Sequence, residues 1–195
     1  MIYLVRHGQT AQNQARLLLG RSDPPLNEAG LRQAAAAGDW FRARDIVFDR
    51  VYSSPLRRAM QTARLIAGAD AQVIPDPRLI EMDYGPYEGM DLTRPAPEVL
   101  TFFRDFVHNP APAGMEPLAE IVARLGAFLE ELAPVAGPGN ILISTHAIAM
   151  KGILEYLTPG SNGGWWSKYI GNCAVFAVEQ GCAGFPVPTE WIWED

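Results

Sequence analysis

Lysine is nearly missing from this chain of 195 residues: Lys151 and Lys168 are the only two. Arginine supplies the other basic residues, and with the abundant Ala, Pro and Gly this points to a GC-rich coding bias before any functional cause. Histidine is scarce too, at His7, His108 and His146, and cysteine is limited to Cys173 and Cys182. Positive charge is in deficit. The formal net charge is −6, which excludes a strongly basic face for nucleic acid and leaves room only for a local basic pocket. No apolar run approaches the roughly 18–20 residues that a membrane span needs. No basic stretch followed by a long apolar one opens the chain, so no signal peptide is expected. Two cysteines without an export signal fit a reducing, cytoplasmic setting better than a disulfide. There is no internal repeat and no low-complexity tract.

What is present suits a compact enzyme-sized unit. Apolar residues make up 48% of the chain, enough for a sizeable core, and the length predicts one domain over residues 1–195. The run IYLV at 2–5 reads as a buried strand. Asn27 is placed to cap a helix whose apolar face carries Leu31, Ala34, Ala35, Gly38 and Phe41. DRVYSS at 49–54 is a short strand, after which Ser54 caps a helix with Pro55 at its first position. AQVIPD at 71–76 is another strand. Residues 79–117 are irregular, with one aromatic helix near 97–107, and so long an excursion usually serves as a lid or cap. Leu118, Ile121, Val122, Leu125, Phe128, Leu129 and Leu132 mark a strongly amphipathic helix. ILIST at 141–145 is a strand, a helix follows from about 147 to 157, and AVFAVE and EWIWED are late strands.

Strands alternating with helices predict an α/β fold. The expected form is a three-layer α/β/α sandwich around a mostly parallel sheet, with a small cap at about 84–117. Ligands in such folds bind at the carboxyl ends of strands. His7 and His146 each directly follow an apolar strand run, and two such histidines in neighbouring strands would share one pocket. His108, in DFVHNP, reads as an ordinary surface residue. Arg6 precedes His7. Arg58 lies in the first turn after the strand at 51–53, so both guanidinium groups can face the same cleft and bind phosphate oxygens. The loop EMDYGPYEGM at 81–90 adds Glu81, Asp83 and Glu88, and spacing alone does not choose among them. Such a set can run phosphoryl transfer. A neutral imidazole attacks phosphorus, arginines and the second histidine stabilise the oxygens, and an acid protonates the leaving group.

LVRHGQTAQN, VYSSPLRRAMQTA, EMDYGPYEG and STHA, in that order, resemble the signatures of the histidine phosphatase superfamily, which includes the cofactor-dependent phosphoglycerate mutases. The resemblance implies that His7 is the phosphorylated nucleophile and that Arg6, Arg58 and His146 complete the phosphate pocket. It selects Arg58 over Arg57, and Glu81 as the proton donor. Asn13 and Gly20 match positions lining the substrate side, and Tyr84 opens the substrate excursion. No cofactor and no metal are implied. Ala147 replaces a glycine and Pro117 a serine of the family pattern.

The family's mutases carry a longer excursion with extra basic residues, whereas residues 91–117 here hold only Arg94 and Arg104. That favours a phosphatase acting on a small phosphorylated substrate, with a mutase as the alternative. Trp165 and Trp166 read first as cover for the sheet edge or as a homodimer contact, and second as a surface for an organic substrate. Two rivals come from other classes. One is a metal-dependent hydrolase using His7, His146, Asp83 and Glu81, which the neighbouring arginines disfavour. The other is a non-catalytic phospho-ligand module.

Overall fold

The computed structural model describes residues 1–179 and 189–191. The apolar runs become β1 (Ile2–Arg6), β2 (Arg50–Ser53), β3 (Val73–Pro75), β4 (Ile141–Thr145), β5 (Val175–Val178) and β6 (Thr189–Trp191). They form one six-stranded sheet in the order β3-β2-β4-β1-β5-β6. The first four of that order are mutually parallel, β5 is antiparallel to β1, and β6 is antiparallel to β5. Cys182, and with it any Cys173–Cys182 pair, lies outside the described residues, as do positions 192–195 of the last expected strand.

The helices are α1 (Ala11–Gln14), α2 (Glu28–Arg42), α3 (Arg57–Ala67), α4 (Pro97–Arg104), α5 (Leu118–Leu132) and α6 (Ala147–Leu157). Side chains alternate across the sheet and feed two cores. Tyr3, Val5 and Leu142 pack with Ala37 and Phe41 of α2 and with Ala63 and Ile66 of α3. Ile2, Leu4, Ile141 and Ile143 pack on the other face with Ile121 and Leu125 of α5 and Ile153 of α6. Helices on both faces explain why β1 and β4 read as unbroken apolar runs instead of alternating ones. The architecture is the expected three-layer α/β/α sandwich.

Two local expectations are corrected. The buried face of α2 is Gly30, Ala34, Ala37, Gly38 and Phe41, while Leu31 is 41% exposed. Close approach, not hydrophobicity, sets this face. Gly30 abuts the loop after β1, and a Cβ on it would stand only 2.0 Å from the Gln9 carbonyl oxygen. Asn27 does cap this helix, its Oδ1 accepting from the Gly30 N–H at 2.8 Å. Ser54 does not cap α3. That helix starts at Arg57 with Leu56 as its N-cap and no side-chain cap bond; the Ser54 hydroxyl lies 2.8 Å from His146 Nε2 and reaches only the Leu56 N–H ahead of the helix, at 3.4 Å. At α5 the N-cap is Pro117, which likewise gives no side-chain bond.

The Gly30 contact yields a test of this packing. Gly30→Ala should gain about 1 kcal/mol of helix propensity but lose about 1–3 kcal/mol to overpacking against Gln9. A lower urea midpoint is the expected result. An unchanged or higher midpoint would show that α2 does not press on the loop carrying His7.

Candidate active site

Three adjacent parallel strands, β2, β4 and β1, end at the same side of the sheet. Ser54, His146 and His7 therefore emerge side by side. Backbone bonds lock the register beyond the strands: His7 N–H donates to Thr145 O at 3.0 Å, and Ser54 N–H donates to Ser144 O at 2.9 Å. The turn after β1 is pinned to α3. Gly8 N–H donates to Thr62 Oγ1 at 3.0 Å, and that hydroxyl donates to Arg58 O at 2.8 Å. This tie brings Arg58 over the strand ends, where it is fully buried, whereas Arg57 points to solvent.

The Arg58 guanidinium lies between the two imidazoles. Its Nε donates at 3.2 Å to His7 Nε2 and at 3.2 Å to His146 Nδ1. Its Nη1 and Nη2 donate to the Ser22 and Gly20 carbonyls at 2.6 and 2.7 Å. The network assigns both tautomers. His7 Nδ1 lies 2.7 Å from Gly8 O, which can only accept, so the His7 proton is on Nδ1 and Nε2 keeps its lone pair. His146 Nδ1 is an acceptor, so its proton is on Nε2, donated to Ser54 Oγ at 2.8 Å. Burial, and then the charges of Arg58 and Arg6, hold His7 well below the ordinary histidine value. Burial and Arg58 do the same to His146. Burial also lowers Arg58, to about 10, against the nearby carboxylates of Glu81, Asp23 and Glu88. At neutral pH the arginine is charged and both imidazoles are neutral.

The three carboxylates of the 81–90 loop separate cleanly. Glu81 is buried and sits at the N-terminus of α6. Its Oε1 accepts from Met82 N and Ala149 N at 2.9 and 3.0 Å, and its Oε2 accepts only the longer Ile148 N–H at 3.2 Å. Asp83 is exposed and closes its own turn by accepting from Gly85 N at 2.8 Å. Glu88 accepts from the successive backbone N–H groups of Gly20, Arg21 and Ser22. Those residues turn their N–H groups to Glu88, and two of them turn their carbonyls to Arg58. Glu88 is thus a positioning residue for Arg58, a role that spacing did not reveal.

Above this floor opens a cavity of about 310 Å³. Arg6, His7, Asn13, Glu81 and Tyr84 line it. Arg6 donates from Nη1 to Ile170 O at 2.6 Å, and its buried Nε finds no acceptor among the described residues. Asn13 is held by the capping box of α1 and accepts from Thr10 N–H at 3.2 Å. Arg58 and His146 lie beneath the cavity and do not line it. Gly20, expected on the substrate side, is not a lining residue either; it serves as a clamp on Arg58. Glycine is required there, since a Cβ would meet Met82 O at 2.5 Å. Arg94 and Arg104 are exposed and off the cavity. His108 is on the surface, 2.8 Å from Asp105 Oδ2. Trp166 is buried and tilts against Phe106, and Trp165 packs edge-on against Phe176, so neither lines the cavity. Sequence reasoning gave Ser54 and Glu88 other roles and missed Thr62 and Lys151 outright. Of these last two only Lys151 left a signal, as a rare residue type on the helix that follows His146.

Chemically the arrangement suits an oxyanion beside a neutral imidazole lone pair. Unspent N–H groups of Arg6, the Arg58 Nε and the His7 lone pair converge at the floor of the cavity. It is ill suited to a cation, because a guanidinium N–H occupies the imidazole nitrogens that would bind one. Among the described residues no group of three or more His, Cys, Asp or Glu side chains is placed to hold a metal ion.

Comparison with known proteins places this geometry. A family model described as the histidine phosphatase superfamily (branch 1) matches residues 2–188. A probable phosphoglycerate mutase, GpmB, of Yersinia pestis is 33% identical over 160 residues, covering 80% of this chain and 74% of that protein. The α-ribazole phosphatase of Shigella flexneri superposes with a TM-score of 0.81 at 25% identity, covering 95% of this chain and 93% of that one. A phosphoserine phosphatase of Entamoeba histolytica, solved as a mutant in complex with phosphoserine, superposes with a TM-score of 0.82 at 22% identity, covering 97% of this chain and 95% of that one.

Removing the charge at Glu88 tests the clamp. In Glu88→Gln an amide NH₂ confronts a row of backbone donors, at the expense of charge-assisted bonds worth about 1.5–3 kcal/mol. Inorganic phosphate should then bind about tenfold more weakly by calorimetry. Unchanged phosphate binding would show that the 20–22 loop does not hold Arg58 in place.

Proposed function

Because the chain belongs to the histidine phosphatase superfamily and is a phosphoglycerate mutase-like phosphatase, we propose that it hydrolyses small-molecule phosphate monoesters through a phosphohistidine on His7, without a metal. The observation that carries this reading is the pair of bonds from Arg58 Nε to the two imidazoles, together with the His7 Nδ1 contact to Gly8 O. They leave a neutral histidine with its Nε2 lone pair next to an arginine N–H. That N–H is released to a phosphoryl oxygen as the lone pair engages phosphorus.

The reaction has two balanced steps. In the first, His7 Nε2 attacks phosphorus and the ester P–O bond breaks. Glu81 gives a proton to the leaving oxygen, so the alcohol departs neutral. Oε2 of Glu81 is the oxygen suited to carry that proton, because Oε1 already accepts two N–H bonds. Arg6 and Arg58 meet the charge on the equatorial oxygens. His146 acts through Arg58, fixing the Nε direction from beneath. In the second step Glu81 takes a proton from water, the water oxygen attacks phosphorus, and the P–N bond breaks to free phosphate and His7.

A phosphatase is favoured over a mutase because neither Arg94 nor Arg104 reaches the cavity, leaving Arg6 and Lys151 as its only lining cations among the described residues. A volume of about 310 Å³ is at the small end for ligand sites, which suits a metabolite-sized ester.

Two measurements test the proposal. Rapid quenching with a radiolabelled monoester should trap acid-labile, base-stable phosphate on the wild-type protein and none on His7→Ala. Glu81→Gln should slow alkyl phosphates by about a hundredfold or more, yet slow p-nitrophenyl phosphate far less, since nitrophenolate leaves without a proton. Label on a serine, or equal losses for both esters, would refute the assignment.

A further inference from the structure

The wall of the cavity carries a cation that the phosphoryl chemistry leaves unused. Ala147, Ile148 and Lys151 lie three and four residues apart on α6, so one face of that helix looks into the cavity. Lys151 is only 9% exposed. Its Nζ donates to Trp166 O at 2.7 Å and lies 5.2 Å from the centre of the Phe106 ring. An ammonium has three N–H donors, and this bond uses one. Among the described residues no carboxylate makes an ion pair with it. Burial pulls its pKa down to about 8, with Glu81 raising it and Arg6 lowering it. A buried ammonium without a carboxylate partner is costly, and an incoming anion would relieve that cost.

The surrounding wall narrows the rest of the ligand. Leu18, Leu92, Phe103, Phe106 and Ile170 face the same space. Asn13, Tyr84 and Tyr169 also line the cavity, but against these five side chains a polyol would bury hydroxyl groups without partners, whereas a flat apolar group would fill that wall favourably.

We propose that Lys151 determines specificity: the alcohol part of the substrate is a compact aromatic or similarly apolar group that bears a carboxylate, and Lys151 receives that carboxylate. This rests on the phosphatase reading above and adds the substrate class to it. In chemical terms the preferred ester is the phosphate of a hydroxy-substituted apolar acid, not of a sugar.

The test compares para-carboxyphenyl phosphate, its uncharged para-carbamoyl analogue, phenyl phosphate and a hexose phosphate on the intact enzyme. Wild type should favour the carboxylate ester over the carbamoyl ester by about tenfold or more in kcat/KM, chiefly through KM, and should turn over the hexose phosphate worst. Lys151→Met should cut that carboxylate-to-carbamoyl ratio at least tenfold, and Lys151→Arg should restore most of it. Taking the ratio cancels any general loss of fold or phosphate binding. A measurement without variants runs alongside: para-hydroxybenzoate should inhibit the wild type about tenfold more tightly than phenol. A ratio indifferent to Lys151, equal inhibition by the two phenols, or a preference for the hexose phosphate would overturn the inference. If phenyl phosphate is hydrolysed with label on His7 while these outcomes hold, only the specificity assignment falls. If no ester is turned over and no label is trapped, the phosphatase reading falls with it.

Discussion

A single N–H of a buried guanidinium, shared between two imidazoles at 3.2 Å each, is the constraint on which the rest of the site depends. Taking an arginine out of water costs several kcal/mol unless its donors are met. Here the remaining nitrogens reach the Ser22 and Gly20 carbonyls, and the nearby Asp23 and Glu88 carboxylates supply compensating negative charge. Burial first, and then this cation, keep both histidines neutral. Together they leave a residue type that titrates near neutrality with the free lone pair that a nucleophile needs. Loop 20–22 and Glu88 exist, in this account, to hold Arg58 in place, and α3 is tied to the loop after β1 through Thr62 for the same end.

The sheet order makes this possible. β1 and β4 are neighbours although the chain passes through β2 and β3 between them, so histidines 139 positions apart share a floor, with ring centres separated by 5.1 Å. His7 and His146 stand at strand ends and Arg58 at a helix start. The substrate walls come from the 17–19 loop, the long excursion and the side of α6. Glu81 comes from that same excursion and is held by the first turn of α6, so the proposed catalytic and selectivity residues share these two elements.

Much of this was legible in the residue order. β4 is the ILIST run itself, since a strand covered on both faces reads as a near-continuous apolar run, its buried Ser144 and Thr145 hydroxyls being hydrogen-bonded to Ala59 O and Leu79 O. His7, His146 and Arg58 were legible because each lies at a strand's carboxyl end, and Glu81 through its motif. The unreadable parts depend on contacts distant in sequence. The α2 face follows Gly30 against Gln9, so an apolar count turns the helix the wrong way. Ser54 has the composition of a cap but serves a histidine, 92 positions away. Asp83 and Glu88 look alike in a string; only the backbone donors of residues 20–22 tell them apart. Gly20 was assigned to the right neighbourhood with the wrong partner.

The most direct test is the protonation state of the two buried imidazoles, read from their ring-nitrogen NMR shifts as pH is lowered. His7 and His146 should be neutral at neutral pH and stay so well below the ordinary histidine value of 6.5. They should hold opposite tautomers, with the proton on Nδ1 in His7 and on Nε2 in His146. A midpoint near 6.5 for either ring, or a proton on His7 Nε2, would contradict this assignment.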